Sequence, residues 1–308
     1  MSSFLSGAVA EAPAHIIFKA QNAPTPRVAI ARAGAPLPMM AAMEATQANM
    51  MVPLFTGEQD MIQVEANKLG WDISPYEIIN TTGEAEAGNA AAIACGEGRA
   101  DVLMKGHLHT DAFMRAAVSR GAGLRTGKRF VHIFHITTTD GSRSITISDA
   151  AVNVNPNLDT RRDATMEVVN LLHKIGNQRP KVAFLSATES PIESVPSSME
   201  ARELRDWAIE NIKSADFSGP LAFDLIMSPE AVQAKDLTND PVAGQADAII
   251  VPDIVSGNAL FKSFVYLTGG CAGGIVMGAK VPILLTSRAD PSAARLSSIA
   301  LGAIMAAG

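Results

Sequence analysis

Short apolar runs alternate with longer segments of helical periodicity along most of this chain, and that alternation limits its possible folds more than any other feature. The first clear strand is RVAIA at 27–31. Strand-like runs follow near 52–56, 77–80 and 102–105, with helix-like segments at 38–50, 58–69 and 85–98 between them. Further along, the pattern predicts helix 160–176, strand 181–186, helix 198–214, strand 248–251, helix 256–268, strand 281–285 and helix 291–306. Strands separated by helices build a parallel sheet with helices on both faces, so an α/β fold is predicted. One stretch breaks the rhythm: VHIFHITTT (131–139) and SITISD (144–149) flank the turn signal TDGS. Branched and aromatic residues around such a turn predict a hairpin-like excursion. It is also the best domain boundary on composition, although the pattern lets the last strand and helix belong to either half. Residues 1–26 read as a loose arm, ending in the turn-rich linker QNAPTP.

Composition enters as a set of exclusions. At 308 residues, one large or two modest domains are expected. Hydrophobic residues at 47% against 18% charged argue for a sizeable core and against disorder. The net charge of −6 disfavours non-specific nucleic-acid binding but leaves room for a local basic pocket. Two isolated cysteines, Cys95 and Cys271, make neither a zinc motif nor a disulfide framework, which fits a cytoplasmic protein. The N-terminus lacks the basic region of a signal peptide, and no apolar run is long enough to predict a membrane span.

Ligands of open α/β sheets bind beyond the carboxyl ends of strands, where helices begin. Four such junctions carry polar residues. In VPILLTSRADP (281–291), Asp290 reads as a helix N-cap with Pro291 at the first helical position. Capping accounts for Asp290 but not for Ser287 and Arg288, which lie in the turn before a positively polarised helix end. A hydroxyl, a guanidinium and free N–H groups there suit an anion such as phosphate.

The second junction is DVLMKGHLHTDAFMRAAV (101–118). Lys105 and Gly106 end a strand, and Arg115 sits in the second turn of the next helix. Gly106 allows close approach of backbone to a ligand, while a solvated loop with a surface arginine is the plainer reading. His107 and His109, spaced i and i+2 without an acidic ligand pattern, are weak evidence for metal. At the third junction, IIVPDIVSGNALFKSF (249–264), Asp253 and Ser256 suit turn and cap roles. Asn258 and Lys262 share a helical face, and Lys262 meets either a phosphate or solvent. The fourth, FLSATES (184–190), places Glu189 after a strand. Cys271 among glycines reads as a buried, inert thiol. No GxGxxG, GxxxxGK[ST] or GxSxG motif marks a dinucleotide site, a P-loop or a nucleophile elbow. The residues alone indicate an anion site in an α/β protein and name no reaction.

Seven stretches then carry a resemblance: ADVLMKG, GLRTGKRFVH, DAAVNVNPNLD, PKVAFLSATES, GPLAFDLIMS, DPVAGQADAIIVPDIVSGNALFKSF and AGGIVMGAKVPILLTSRAD. In this order, from about residue 27 to the C-terminus, they resemble the phosphate acetyl/butyryltransferase family. LMKG and LTSRAD look more like its phosphotransbutyrylase side. The resemblance implies two α/β domains around a deep cleft, as in isocitrate and isopropylmalate dehydrogenases. It assigns 1–140 plus 281–308 to one domain and 141–280 to the other, and implies a homodimer formed through the second.

The resemblance also implies a reaction: acyl-CoA and inorganic phosphate exchange with acyl phosphate and CoA, with CoA as substrate and no cofactor or metal. Ser287 matches the family serine that hydrogen-bonds developing negative charge, and Arg288 the neighbouring arginine that binds phosphate or carbonyl oxygen. Arg115 matches, loosely, a phosphate-binding arginine, and Lys105 and Gly106 belong to the same turn. The base departs from the pattern. Acetyltransferases carry an aspartate seven residues after the serine, where this chain has Ala294; Asp290, three after it, is the candidate, with Glu189 or a water as fallback. Two other readings stay open at this stage. One is a CoA- or acyl-phosphate-binding protein without turnover, and the other a metal-dependent hydroxy-acid dehydrogenase of the same architecture.

Overall fold

The computed structural model describes residues 4–285 and 290–307. They group into two compact units: residues 4–9 with 129–272 form unit 1, and residues 10–128 with 273–307 form unit 2. Unit 2 begins with α1 (Ala14–Gln21), β1 (Arg27–Ala31), α2 (Pro36–Gln47), β2 (Val52–Gly57), α3 (Gln59–Lys68), β3 (Ile78–Asn80), α4 (Gly83–Gly96), β4 (Val102–Lys105) and α5 (Thr110–Ala117). Unit 1 holds β5 (Val131–Thr137), β6 (Ser144–Ser148), α6 (Leu158–Ile175), β7 (Lys181–Leu185), α7 (Pro196–Asn211), β8 (Asp216–Leu221), α8 (Phe223–Met227), α9 (Pro229–Ala234), β9 (Ala248–Ile250) and α10 (Ile254–Thr268). The chain then returns through β10 (Cys271–Met277) and β11 (Ile283–Leu284) to α11 (Ser292–Ala306).

The strands of unit 2 run in the order β3-β2-β1-β4-β11-β10. All neighbours are parallel except β10 and β11, which meet antiparallel at Val276 and Ile283. Val28, Ile30, Phe55, Leu103 and Leu284 are fully or almost fully buried, as strands covered on both faces require. In unit 1 the order is β5-β6-β9-β7-β8. Here β5 and β6 form the antiparallel hairpin expected from 131–149, and the other pairs are parallel. Its core gathers Ile147, Ala183, Leu225, Ile249 and Val251.

Local chemistry sets the helix ends. The Asn157 side chain accepts from the Thr160 N–H at 2.9 Å, and Gly176, at φ 116°, ends α6. Asp253 accepts from the Val255 and Ser256 N–H groups, both at 2.9 Å, so its expected cap role holds for α10.

Three expectations change. Residues 1–26 are not a loose arm throughout, because α1 buries Ile16 and Ala20 and packs on α11. Strands β8 and β10 had no counterpart in the pattern. The cap of the last helix falls on Pro291 (φ −63°, ψ 160°), not on Asp290, and Pro291 has no side-chain acceptor. Proline disfavours helical backbone in the residue before it, so Asp290 stays outside the helix.

Candidate functional site

In unit 2 the parallel strands β2, β1, β4 and β11 end side by side. Arg32 follows β1, Glu58 follows β2, Gly106 follows β4, and the segment 285–290 follows β11. Ser287 and Arg288 lie outside the described residues. Asp290 is half-buried just before α11, and its carbonyl oxygen accepts from the Arg295 guanidinium. Lys105 is buried at the end of β4, while Arg115 is exposed on α5.

Gly106 has a specific steric role. A Cβ there would collide with the carbonyl oxygens of Ala31 and Arg32. With glycine, the Gly106 N–H donates to Ala31 O and the His107 N–H to Arg32 O, both at 2.9 Å. The exits of β4 and β1 are thereby drawn together.

Arg32 sits in the left-handed region at φ 55°, uncommon for a non-glycine residue. Its guanidinium lies between two carboxylates: Nη2 is 3.2 Å from Glu58 Oε1 and Nη1 is 3.3 Å from Glu84 Oε1. Glu58 also accepts from the Gly83 N–H at 3.0 Å. Burial pushes the Glu58 carboxyl pKa up, but hydrogen bonds from Arg32 and Gly83 outweigh it and leave the pKa below the usual range. Glu84 reaches the β4 loop. Its Oε2 accepts from the His109 backbone N–H at 3.1 Å, and the carboxylate lies 2.9–3.0 Å from His109 Nδ1. The backbone bond from His109, then its side-chain bond, hold the Glu84 carboxyl below its ordinary pKa.

A carboxylate beside Nδ1 selects the tautomer with a proton there. His109 Nε2 then carries the lone pair, and it meets no hydrogen-bonding partner among the described residues. The arrangement Glu58–Arg32–Glu84–His109 is thus a fixed ionic chain ending in an imidazole that is 78% exposed.

Unit 1 has its own strand-end cluster. The Asp149 carboxylate, just after β6, accepts from the backbone N–H groups of His132, Ala151 and Val152 at 2.9–3.0 Å. It also accepts from Asn153 Nδ2 at 2.7 Å. Asn258 donates from Nδ2 to Ala150 O at 3.2 Å, so its amide fastens this turn to α10; Lys262 is exposed one helical turn later. Glu189 pairs with Lys235 at 3.4 Å. Burial pushes the Cys271 thiol up to about 11 and Cys95 up to about 12, which leaves both as poor nucleophiles.

The structure therefore brings Lys105 and Gly106 to the strand ends from which the segment with Ser287 and Arg288 departs. Asn258 and Lys262 belong to the other unit. Arg32, Glu58, Glu84 and Asp149 did not emerge from the motif reading. For Arg32 a usable signal was present, a charged residue directly after the buried run VAIA. Glu84 in the first turn of α4 reads only as a helix-dipole partner. Among the described residues no three His, Cys, Asp or Glu side chains are grouped to hold a metal ion.

A family model described as "Phosphate acetyl/butaryl transferase" matches residues 86–303. The chain is 38% identical over 267 residues to a phosphate acetyltransferase of Rhizobium meliloti, covering 86% of this chain and 84% of that one. It is 34% identical over 292 residues to a phosphate butyryltransferase of Clostridium acetobutylicum, covering 94% and 97%. Among solved structures, a branched-chain phosphotransacylase from Enterococcus faecalis V583 superposes with a TM-score of 0.79 at 26% identity, over 91% of this chain and 98% of the other.

Proposed function

We infer the activity from membership: the chain belongs to the phosphate acetyl/butyryltransferase family, on a family match that spans most of its length and relatives at 34–38% identity. It is an acyltransferase that moves a short acyl group between CoA and inorganic phosphate, acyl-CoA plus phosphate giving acyl phosphate plus CoA. The observation that carries this reading is the 38% identity over 86% of the chain with a phosphate acetyltransferase. The dehydrogenase and non-catalytic readings have no comparable support.

The roles follow from chemistry at the strand ends. Ser287 hydrogen-bonds the negative charge that develops on the acyl oxygen, and Arg288 binds the phosphate with paired donors. Arg115, Lys105, Gly106, Asn258 and Lys262 are the further substrate contacts: the positive charges of Arg115, Lys105 and Lys262 suit phosphate oxygens, and Gly106 lets the backbone approach a ligand closely. Asp290 is the carboxylate closest in sequence to the dipeptide. We also propose the isocitrate/isopropylmalate dehydrogenase-like architecture, a cytoplasmic location where free thiols stay reduced, and a homodimer. No helix among the described residues is long and apolar enough to cross a membrane.

A thiol-release assay with acetyl-CoA and butyryl-CoA tests the reaction. Phosphate-dependent release of CoA is expected with at least one of them, and release that ignores phosphate would remove the reading. Arg288→Ala is expected to raise the phosphate KM and to cut kcat/KM by about 100-fold or more, the size seen when an anion-stabilising donor is lost.

A further inference from the structure

The chain passes between its two compact units after residue 9, after residue 128 and after residue 272. The second and third crossings carry it into unit 1 and back, and the fold requires them. The first is different in kind, because every strand and helix of both units lies after residue 9. We propose that residues 4–9 are a strap: seated on unit 1 at Gly269 and continued by α1 on unit 2, they limit how far the two units move apart. The strap does not depend on the acyltransferase reading.

The unit 1 end has a fitted seat. The Ser6 N–H donates to Tyr266 O at 2.8 Å, and Ser6 Oγ accepts from the Ala8 N–H at 3.1 Å, which turns the segment. Gly269 closes α10 in the left-handed region at φ 74°. A Cβ on it would stand 2.7 Å from Ser6 Oγ, 3.0 Å from Ala8 Cβ and 3.1 Å from Thr139 Cγ2. One glycine thus serves both the end of the helix and the close approach of the segment. The unit 2 end is held more firmly, since α1 buries Ile16 and Ala20 and packs on α11. Only residues 9–12 lie between these anchors, and Val9 and Glu11 are exposed. At full extension the chain from Ala8 to Pro13 spans no more than about 18 Å.

A link of this kind acts in one direction. A short chain resists little below its contour length and cannot be stretched beyond it. Units that approach one another leave it slack, whereas units that separate pull it taut and load its weaker anchor. The weaker anchor is the one on unit 1, where a segment of exposed residues is held by the Ser6 hydrogen bond and the contacts at Gly269. A helix pinned by a fully buried isoleucine holds the other end. Separation is therefore capped by the length of residues 9–12, and the strap yields first at Ser6. The seat at Gly269 also lies three residues before the crossing after residue 272, so the strap braces the chain close to where it leaves unit 1.

Spin-label distances within the full chain test this, with one label at Gln63→Cys on α3 and the other at Glu210→Cys on α7. Both positions are exposed, and burial raises the thiol pKa of the native Cys95 and Cys271, so labelling favours the introduced thiols. Dilution with unlabelled chain restricts the signal to pairs within one copy. Two changes are compared with this parent. Ser6→Pro deletes the N–H that Tyr266 O accepts, and a glycine–serine insert of about six residues between Ala10 and Glu11 leaves both anchors intact and only lengthens the link. Six such residues add about 13 Å of root-mean-square reach. The insert is expected to move the long edge of the distance distribution outward by about 5 Å or more and to leave its short edge in place. S6P should extend the same long edge. Circular dichroism and the thermal midpoint of the insert variant should match the parent, which separates a length limit from a stabilising contact. Should S6P fail to fold, the insert carries the test alone. An insert variant whose distribution overlays that of the parent, or widens only at short distances, would overturn the strap.

Discussion

The His132 imidazole lies inside unit 1 with its ring centroid 4.3 Å from that of Phe134, and its backbone N–H donates to the Asp149 carboxylate. Among the described residues its Nδ1 has no hydrogen-bond partner. Burial holds the ring neutral and pushes its pKa down to about 4, against the pull of the Asp149 charge. In the unfolded chain the same group titrates near its ordinary value of 6.5. Between these values the unfolded state binds the extra proton, so the contribution to stability is complete above pH 6.5 and is lost as pH falls toward 4. The slope for one such group is at most about 1.4 kcal/mol per pH unit. Denaturant unfolding followed from pH 7.5 to 4.5 should show this decline, and His132→Phe should flatten it. Phenylalanine suits the apolar site and leaves the backbone bond to Asp149 in place. A variant with the wild-type slope would mean that other groups set the acid sensitivity of unit 1.

Among the elements, α1 shows how tertiary contact decides a marginal case. Its eight residues, AHIIFKAQ, have no side-chain cap, and a helix this short does not persist alone in water. Ile16, fully buried, and Ala20 pin it against α11. Ile16→Ala should therefore cost about 2–4 kcal/mol in unfolding free energy, whereas Phe18→Ala, on the exposed side, should stay within about 0.5 kcal/mol. The same distinction separates what the sequence disclosed from what it concealed. Strands such as RVAIA and KVAFL and helices with clear periodicity were legible because local pattern and burial agree there. The strand CAGGIVM was not, since glycine lowers strand propensity. Its reason is remote in sequence: a Cβ on Gly273 would stand 2.5 Å from Ser297 Oγ, so α11 packs directly on the strand. DFSGPL was hidden likewise by its Gly-Pro pair, which reads as a turn. At the site, Lys105, Gly106 and Asp253 were visible as residues ending strands or starting helices. Arg32, Glu58, Glu84 and His109 meet across separations of 25 to 52 residues, and no spacing rule connects them.

For the molecule as a whole, the apolar surface of unit 1 bears on assembly. Helix α10 has one charged residue, Lys262, among its 15, yet only Gly257 is fully buried. Val255 is 74% exposed and Tyr266 55%, and Leu267 is also open. The N-terminal segment extends this surface, because the Ser6 N–H donates to Tyr266 O at 2.8 Å and Phe4 is 92% exposed. Single apolar residues on a surface are ordinary, but a group of this size poor in charge is the composition of an interface core. The net charge of −6 adds modest long-range repulsion between copies, which salt screens. Apolar burial therefore dominates the balance, and a standard interface removes about 800 Å² from each partner. Sedimentation of the full chain should accordingly give about twice the 32.3 kDa of one copy at micromolar concentration. Tyr266→Glu combined with Leu267→Glu should shift it to one copy, because each carboxylate would lose its water on association. The unfolding midpoint of wild type should rise with protein concentration and that of the double variant should not. A wild-type chain that sediments as one copy at tens of micromolar would show that this face stays open to solvent.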